Sequence, residues 1–146
     1  MHVENLTEKS REILEEAIQE AYEYKHQHVE PLHVLKATIT VPGTIIGPLL
    51  SALDADSGAL LSDVETALAA LPKLSTAANP QLTPAVASIF RRAEKEATTM
   101  NDQYISVEHI LLALGHNEGP PRDILSRYEL LPINITSALE QLRKNM

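Results

Sequence analysis

Displaced by 76 residues, the sequence falls on itself: residues 6–38 lie over residues 82–114 without a gap. Leu6-Thr7 meets Leu82-Thr83, Ile13 meets Ile89, and Ala17, Glu20 and Ala21 meet Ala93, Glu96 and Ala97. Further along, Gln27, His33, Leu35 and Ala37 meet Gln103, His109, Leu111 and Ala113. Between these identities apolar positions stay apolar, as at Leu14/Phe90, Val29/Ile105 and Val34/Ile110. A supersecondary unit of about seventy residues that cannot bury its own apolar face must bury it against a copy. The expectation is one domain over residues 1–146, made of a repeat at 6–71, a connecting loop at 72–81 and a second repeat at 82–144.

Each repeat has helical periodicity. After Thr7, a good N-cap, Ile13, Leu14, Ala17, Ile18 and Ala21 recur on one helical face. Thr83 and Pro84 open the corresponding helix of the second repeat, with Val86, Ile89, Phe90, Ala93 and Ala97 as its stripe. A second helix begins near Glu30-Pro31 and at Ser106, and shorter ones are expected at 44–53, 58–71, 121–129 and 133–144. No segment sustains the alternation of a strand. The predicted fold is all-α, about eight helices in two pseudo-symmetric four-helix repeats sharing one core. The Pro-, Ser-, Ala- and Asn-rich stretch from Pro72 to Pro80 joins packed halves as a loop.

Composition excludes much. With no cysteine among 146 residues there is no disulfide, no thiolate metal site and no thiol nucleophile. That suits a reducing cytoplasm, the expected location; Met1-His2-Val3-Glu4-Asn5 does not look like a secretory leader. A formal charge of −8 and 3% aromatic residues argue against a nucleic-acid binder, and the Arg91, Arg92, Lys95 cluster is a solvated helix face. No apolar run approaches membrane-spanning length, so neither nucleic acid nor membrane is an expected partner.

Could the histidines bind a metal? His26, His28 and His33 lie close in sequence, but the other repeat has Asp102 and Tyr104 where the first two stand. Only His33/His109 is duplicated, and a lone histidine in the first turn of an apolar helix is a packed residue with one ring nitrogen bonded locally. No metal is expected. Nor is there a nucleophile elbow, an HExxH motif or a dinucleotide fingerprint, and Gly43-Thr44-Ile45-Ile46-Gly47 lacks the spacing and ending of a phosphate-binding loop. The chain is expected to be non-catalytic.

"LTEKSREILEEAIQEA" followed by "HVEPLHVL", then "LTPAVASIFRRAEKEA" followed by "NDQYISVEHILLAL", resemble the two repeats of the Clp N-terminal domain. The resemblance runs from Leu6 to about Arg143. In "EPLH", "ALAALPKLS" and "EQLRKN" it looks most like the ClpB branch, the Hsp100 AAA+ disaggregases. It implies a chaperone module that engages unfolded or aggregated protein and helps deliver it to a hexameric ATPase ring during stress. ATP and Mg would then belong to the parent's ATPase modules, with no cofactor in this domain, and an Hsp70 system would act through the parent. The family's substrate-engaging residues carry over to Thr7 in "LTEK", Asp102 in "NDQYIS" and Glu108 in "SVEH". A cleft between repeats, with Leu14, Ile89 and Phe90, is a candidate apolar groove. As to their ordinary roles, Thr7 is an N-cap, Glu108 favours a helix dipole, and the apolar stripe is core.

There are departures. The ClpC branch places Glu before His in both repeats, whereas here Glu108-His109 is matched by Leu32-His33. The glycine common before each repeat's second helix is replaced around Lys25-His26 and Asn101-Asp102. "RYEL" at 127–130 resembles the ClpV branch, which grips a helix of a sheath protein. The first departure argues against the ClpC branch's recognition of a cationic tag; an adaptor- or partner-docking domain of ClpC, ClpA or ClpV type is the alternative, and a free-standing domain a third.

Overall fold

The computed structural model describes residues 4–145. Thr7 and Thr83 each begin a sixteen-residue helix, α1 (Glu8–Glu23) and α5 (Pro84–Thr99). The threonine hydroxyls accept the amides three residues on, from Ser10 at 3.1 Å and Val86 at 3.3 Å, satisfying donors that a helix start leaves orphaned. Two-residue strands, β1 (His28–Val29) and β2 (Gln81–Leu82), precede α2 (Pro31–Thr40) and α5. The first repeat continues with α3 (Ile46–Ala52) and α4 (Ser57–Ala69), the latter capped by Asp56. The second adds α6 (Val107–His116), α7 (Pro120–Arg127) and α8 (Pro132–Lys144). Eight helices stand among the described residues, as the periodicity predicts, with boundaries within two residues of those expected.

The short strands depart from a purely helical reading, and they tie the halves together crosswise. β1 runs parallel to β2, with Val29 opposite Leu82; Leu6 forms the equivalent bridge to Ile105. The segment before each repeat's first helix thus pairs with the segment before the other repeat's second helix. Two residues are too few for alternation to show in a sequence.

Helices α2 and α6 lie at the centre. Every residue from Val107 to Gly115 is buried, so α6 is apolar nearly all round, as an interior helix must be. α1 packs on α2, α5 packs on α6, and α2 also touches α6 and α7. Ile13, Ala17 and Ala21 from α1 meet the same core as Ile89, Phe90, Ala93 and Ala97 from α5. The alanines let the helices approach closely. Each fully buried Leu or Ile contributes about 1.5–3 kcal/mol relative to exposure.

Helices α1, α3, α5 and α7 all stop alike. A left-handed residue follows each (Lys25, φ 62°; Asp54, 54°; Asn101, 58°; Glu129, 57°), and the next amide reaches back five residues. These bonds are His26 to Ala21, Ala55 to Leu50, Asp102 to Ala97 and Leu130 to Leu125, at 2.8–3.0 Å. None of the four is glycine. The central loop is held where the Leu74 amide donates to the Lys25 carbonyl at 2.7 Å. Among the described residues no helix is long and apolar enough to cross a membrane.

Candidate functional site

The duplicated histidines cap their own helices. The Glu30 amide donates to His33 Nδ1 and the Ser106 amide to His109 Nδ1, each at 2.8 Å. A backbone amide can only donate, so each Nδ1 is an unprotonated acceptor and each ring carries its proton on Nε2. Imidazole here takes the third-residue role that glutamate plays in a capping box. The Nε2 protons then go to different partners. His33 donates to His26 Nδ1 at 2.8 Å, which leaves the His26 proton on a buried Nε2 that faces the Leu68 backbone without a well-formed hydrogen bond. His109 donates to Asp102 Oδ2 at 2.7 Å. One relay ends in a buried ring and the other in a carboxylate.

The carboxylate end is the more elaborate. Arg143, in the last turn of α8, places its guanidinium on Asp102 with contacts of 2.8 and 3.2 Å, and reaches Glu108 at 3.3 Å. Burial alone would raise the Asp102 carboxyl, but the hydrogen bonds from Arg143 and His109 outweigh it and hold the group below the usual carboxylate range. Hydrogen bonding to Asp102 likewise keeps Arg143 firmly protonated. Glu108 is only 8% exposed. The structure therefore brings Asp102 and Glu108 onto one cation.

Thr7 belongs to the same corner through the backbone. Its amide donates to the Ile105 carbonyl at 3.1 Å, and its hydroxyl donates to Ser10 Oγ at 2.9 Å. Ser10, fully buried, donates its hydroxyl in turn to the Ile105 carbonyl at 2.7 Å. Thr7 is thus both a cap and an anchor on the strand that leads into Glu108. In the second repeat Thr83 donates directly to the Val29 carbonyl at 2.9 Å, because Val86 stands where Ser10 does.

The family model described as the Clp repeat (R) N-terminal domain matches residues 5–128. The chain belongs to the Clp N-domain family. Among curated proteins it is 34% identical over 147 residues to the chaperone protein ClpB of Rhodopseudomonas palustris, and 33% identical over 144 residues to that of Vibrio cholerae. The alignments cover 99% and 98% of this chain but 17% of each relative, so the chain spans about one sixth of the length of the ClpB proteins it matches. Solved structures share the fold. The Hsp104 N-terminal domain from Candida albicans superposes with a TM-score of 0.83 over 98% of this chain and 94% of its own, at 22% identity. A ClpV N-domain solved in complex with a VipB peptide superposes with 0.66 over 85% and 79%, at 18% identity.

The Clp N-domain also carries clefts. One of about 600 Å³ lies between α5, the start of α2 and the α6–α7 turn, with Glu30, Ile89, Asn117 and Arg122 on its walls. Of the three residues considered for an apolar groove, Ile89 lines this cleft, Phe90 is 2% exposed within the core, and Leu14 is half-buried at the core's edge. A second cleft, about 330 Å³, opens beside His26, Leu71, Pro72 and Lys73. Among the described residues no group of three or more histidines and carboxylates could hold a metal ion.

Sequence reasoning missed two residues of this corner. Ser10 is hidden because its partner in the repeat is an ordinary core valine. Arg143 sits four residues beyond Leu139 on α8 and looks like a solvated basic residue near a helix end. The available signal was concerted change. Between the repeats, His26 becomes Asp102 and Leu32 becomes Glu108, and two new acids six residues apart around one duplicated histidine call for a cation.

Proposed function

We propose that the chain is the substrate-engaging N-terminal module of a ClpB-type disaggregase. On this reading it binds unfolded or aggregated polypeptide and aids its delivery to the ATPase ring of a longer parent chain, without catalysing a reaction itself. The parent's hexamer, its ATP and Mg, its cytoplasmic location and its link to an Hsp70 system belong to the same proposal. Thr7, Asp102 and Glu108 are the client contacts. The observation that carries this is their convergence: Asp102 and Glu108 share one guanidinium, and Thr7 is bonded to the strand between them.

Asp102→Asn and Glu108→Gln keep shape and remove charge. Each is expected to weaken binding of a permanently unfolded model protein while the helical signal is retained. The double variant should show coupling, since both groups act at one place. Affinity unchanged in both single variants would remove these residues from the contact.

A second reading, a docking domain for one partner, is favoured by the likeness to the ClpV N-domain solved with a peptide. Breadth of binding separates the two. A disaggregase module binds many unrelated unfolded chains, whereas a docking domain binds one.

A further inference from the structure

The two repeats build the same corner in opposite ways. His26 and Asp102 both follow a left-handed residue, and both receive the Nε2 proton of the duplicated histidine. Leu32 and Glu108 both precede that histidine. Helices α4 and α8 are both thirteen residues long, so Leu60 and Val64 of α4 hold the buried places that Ile135 and Leu139 hold on α8. Continuing that register sets the buried Leu68 against Arg143. In the first repeat, then, the corner has the His26 ring with Leu32 and Leu68, and beside it the 330 Å³ cleft opens along His26, Pro72 and Lys73. In the second it has two carboxylates, and Arg143 lies across them.

The first-repeat corner forms with no ion pair at these three positions, so the charged triad is not something the architecture demands. Burying Glu108 to 8% exposure is costly for a carboxylate, and Arg143 makes it tolerable. Arg143 itself keeps about a third of its side chain exposed and comes from a helix's last turn, where backbone restraint is weakest.

We propose that Arg143 is a latch. Its guanidinium occupies in cis the acidic corner that a client would use, and engagement at Asp102 and Glu108 requires it to swing out or the last turn of α8 to fray. The group that replaces it is a basic side chain of the bound polypeptide, which can offer charge-assisted hydrogen bonds to both carboxylates. The proposal rests on the reading of these two acids as contact residues and adds the gate in front of them. An intramolecular cation at high effective concentration keeps the open corner a minority state, so apparent client affinity is reduced by that fraction.

The test compares wild type with Arg143→Gln, which keeps much of the side-chain length and drops the charge. The probes are a short unstructured arginine-bearing peptide and its glutamate counterpart, titrated by chemical-shift change. The latch predicts that Arg143→Gln binds the arginine peptide about fivefold or more tighter than wild type. It also predicts that Asp102→Asn with Glu108→Gln in that background abolishes the gain, and that the glutamate peptide gains nothing. In wild type, the Arg143 side-chain resonance should shift as the arginine peptide binds. Equal affinity of the two proteins, a gain for both peptides alike, or an Arg143→Gln chain that does not fold would each overturn it and make Arg143 a strut. A gain for the basic peptide without any binding of unfolded proteins would leave the latch standing and sink the disaggregase reading instead.

Discussion

Ser10 shows how one residue changes a hydrogen-bond route while preserving its end point. The Thr7 hydroxyl reaches the Ile105 carbonyl through the Ser10 hydroxyl, whereas the Thr83 hydroxyl reaches the Val29 carbonyl directly. Ser10→Val should therefore let the Thr7 hydroxyl turn to Ile105, and urea unfolding should place the variant within about 1 kcal/mol of wild type. Adding Thr7→Ala removes the cap and the substitute donor together, so the pair should cost more than the sum of the singles. A Ser10→Val loss much beyond that would show that the route itself matters. The His26–His33 pair makes a second prediction. Burial, and then the neighbouring His26, push His33 from its ordinary value of 6.5 down to about 4, and burial lowers His26 in the same direction. The unfolded chain therefore binds protons between about pH 6.5 and 4 that the folded chain refuses, so stability falls as pH drops through that window. The His33 contribution amounts to about 3 kcal/mol and is complete below its folded value. His33→Gln keeps a third-residue acceptor for the Glu30 amide and should flatten the pH dependence of the unfolding free energy over this range. An unchanged slope would reassign the acid sensitivity to other groups.

Four helices end on left-handed residues that are not glycine, and each carries a strain that glycine would relieve. Left-handed geometry costs an ordinary L-residue about 1–2 kcal/mol, less for asparagine, while glycine gives part of that back as unfolded-state entropy. Lys25→Gly and Glu129→Gly should each stabilise by about 0.5–1 kcal/mol in thermal or urea unfolding, and Asn101→Gly by less. Destabilisation at Lys25 would mean that its side chain does more for the central loop than its backbone does. The helices were legible in the sequence because their signals are local: Thr7, Thr83, Pro84 and Pro31 mark starts, and 3.6-residue stripes mark faces. The pseudo-symmetric core followed from the repeat. What stayed illegible is non-local. A two-residue strand has no period, and the bond from Ser10 to Ile105 spans 95 residues. The site was half legible. Asp102 and Glu108 entered through family resemblance and converge in the structure, but nothing near Arg143 in sequence announces that its guanidinium lies on them.

At the scale of the whole molecule, the two halves share one core and one pair of crossed ladders, so neither half is complete alone. The Leu6–Ile105 and Val29–Leu82 bridges exchange edges between repeats, and the linker need only span from α4 to β2. Nothing in those ladders requires that both partners lie on one chain. Shortening residues 75–79 to a strained connection would leave every interface intact while making closure within a chain difficult, the condition under which protomers trade identical elements. The trimmed protein should then be a reciprocal dimer in light scattering, with wild-type helix content, the first repeat of each chain seated on the second repeat of the other. Dilution should not readily return it to monomers, because separating them means unfolding a shared core.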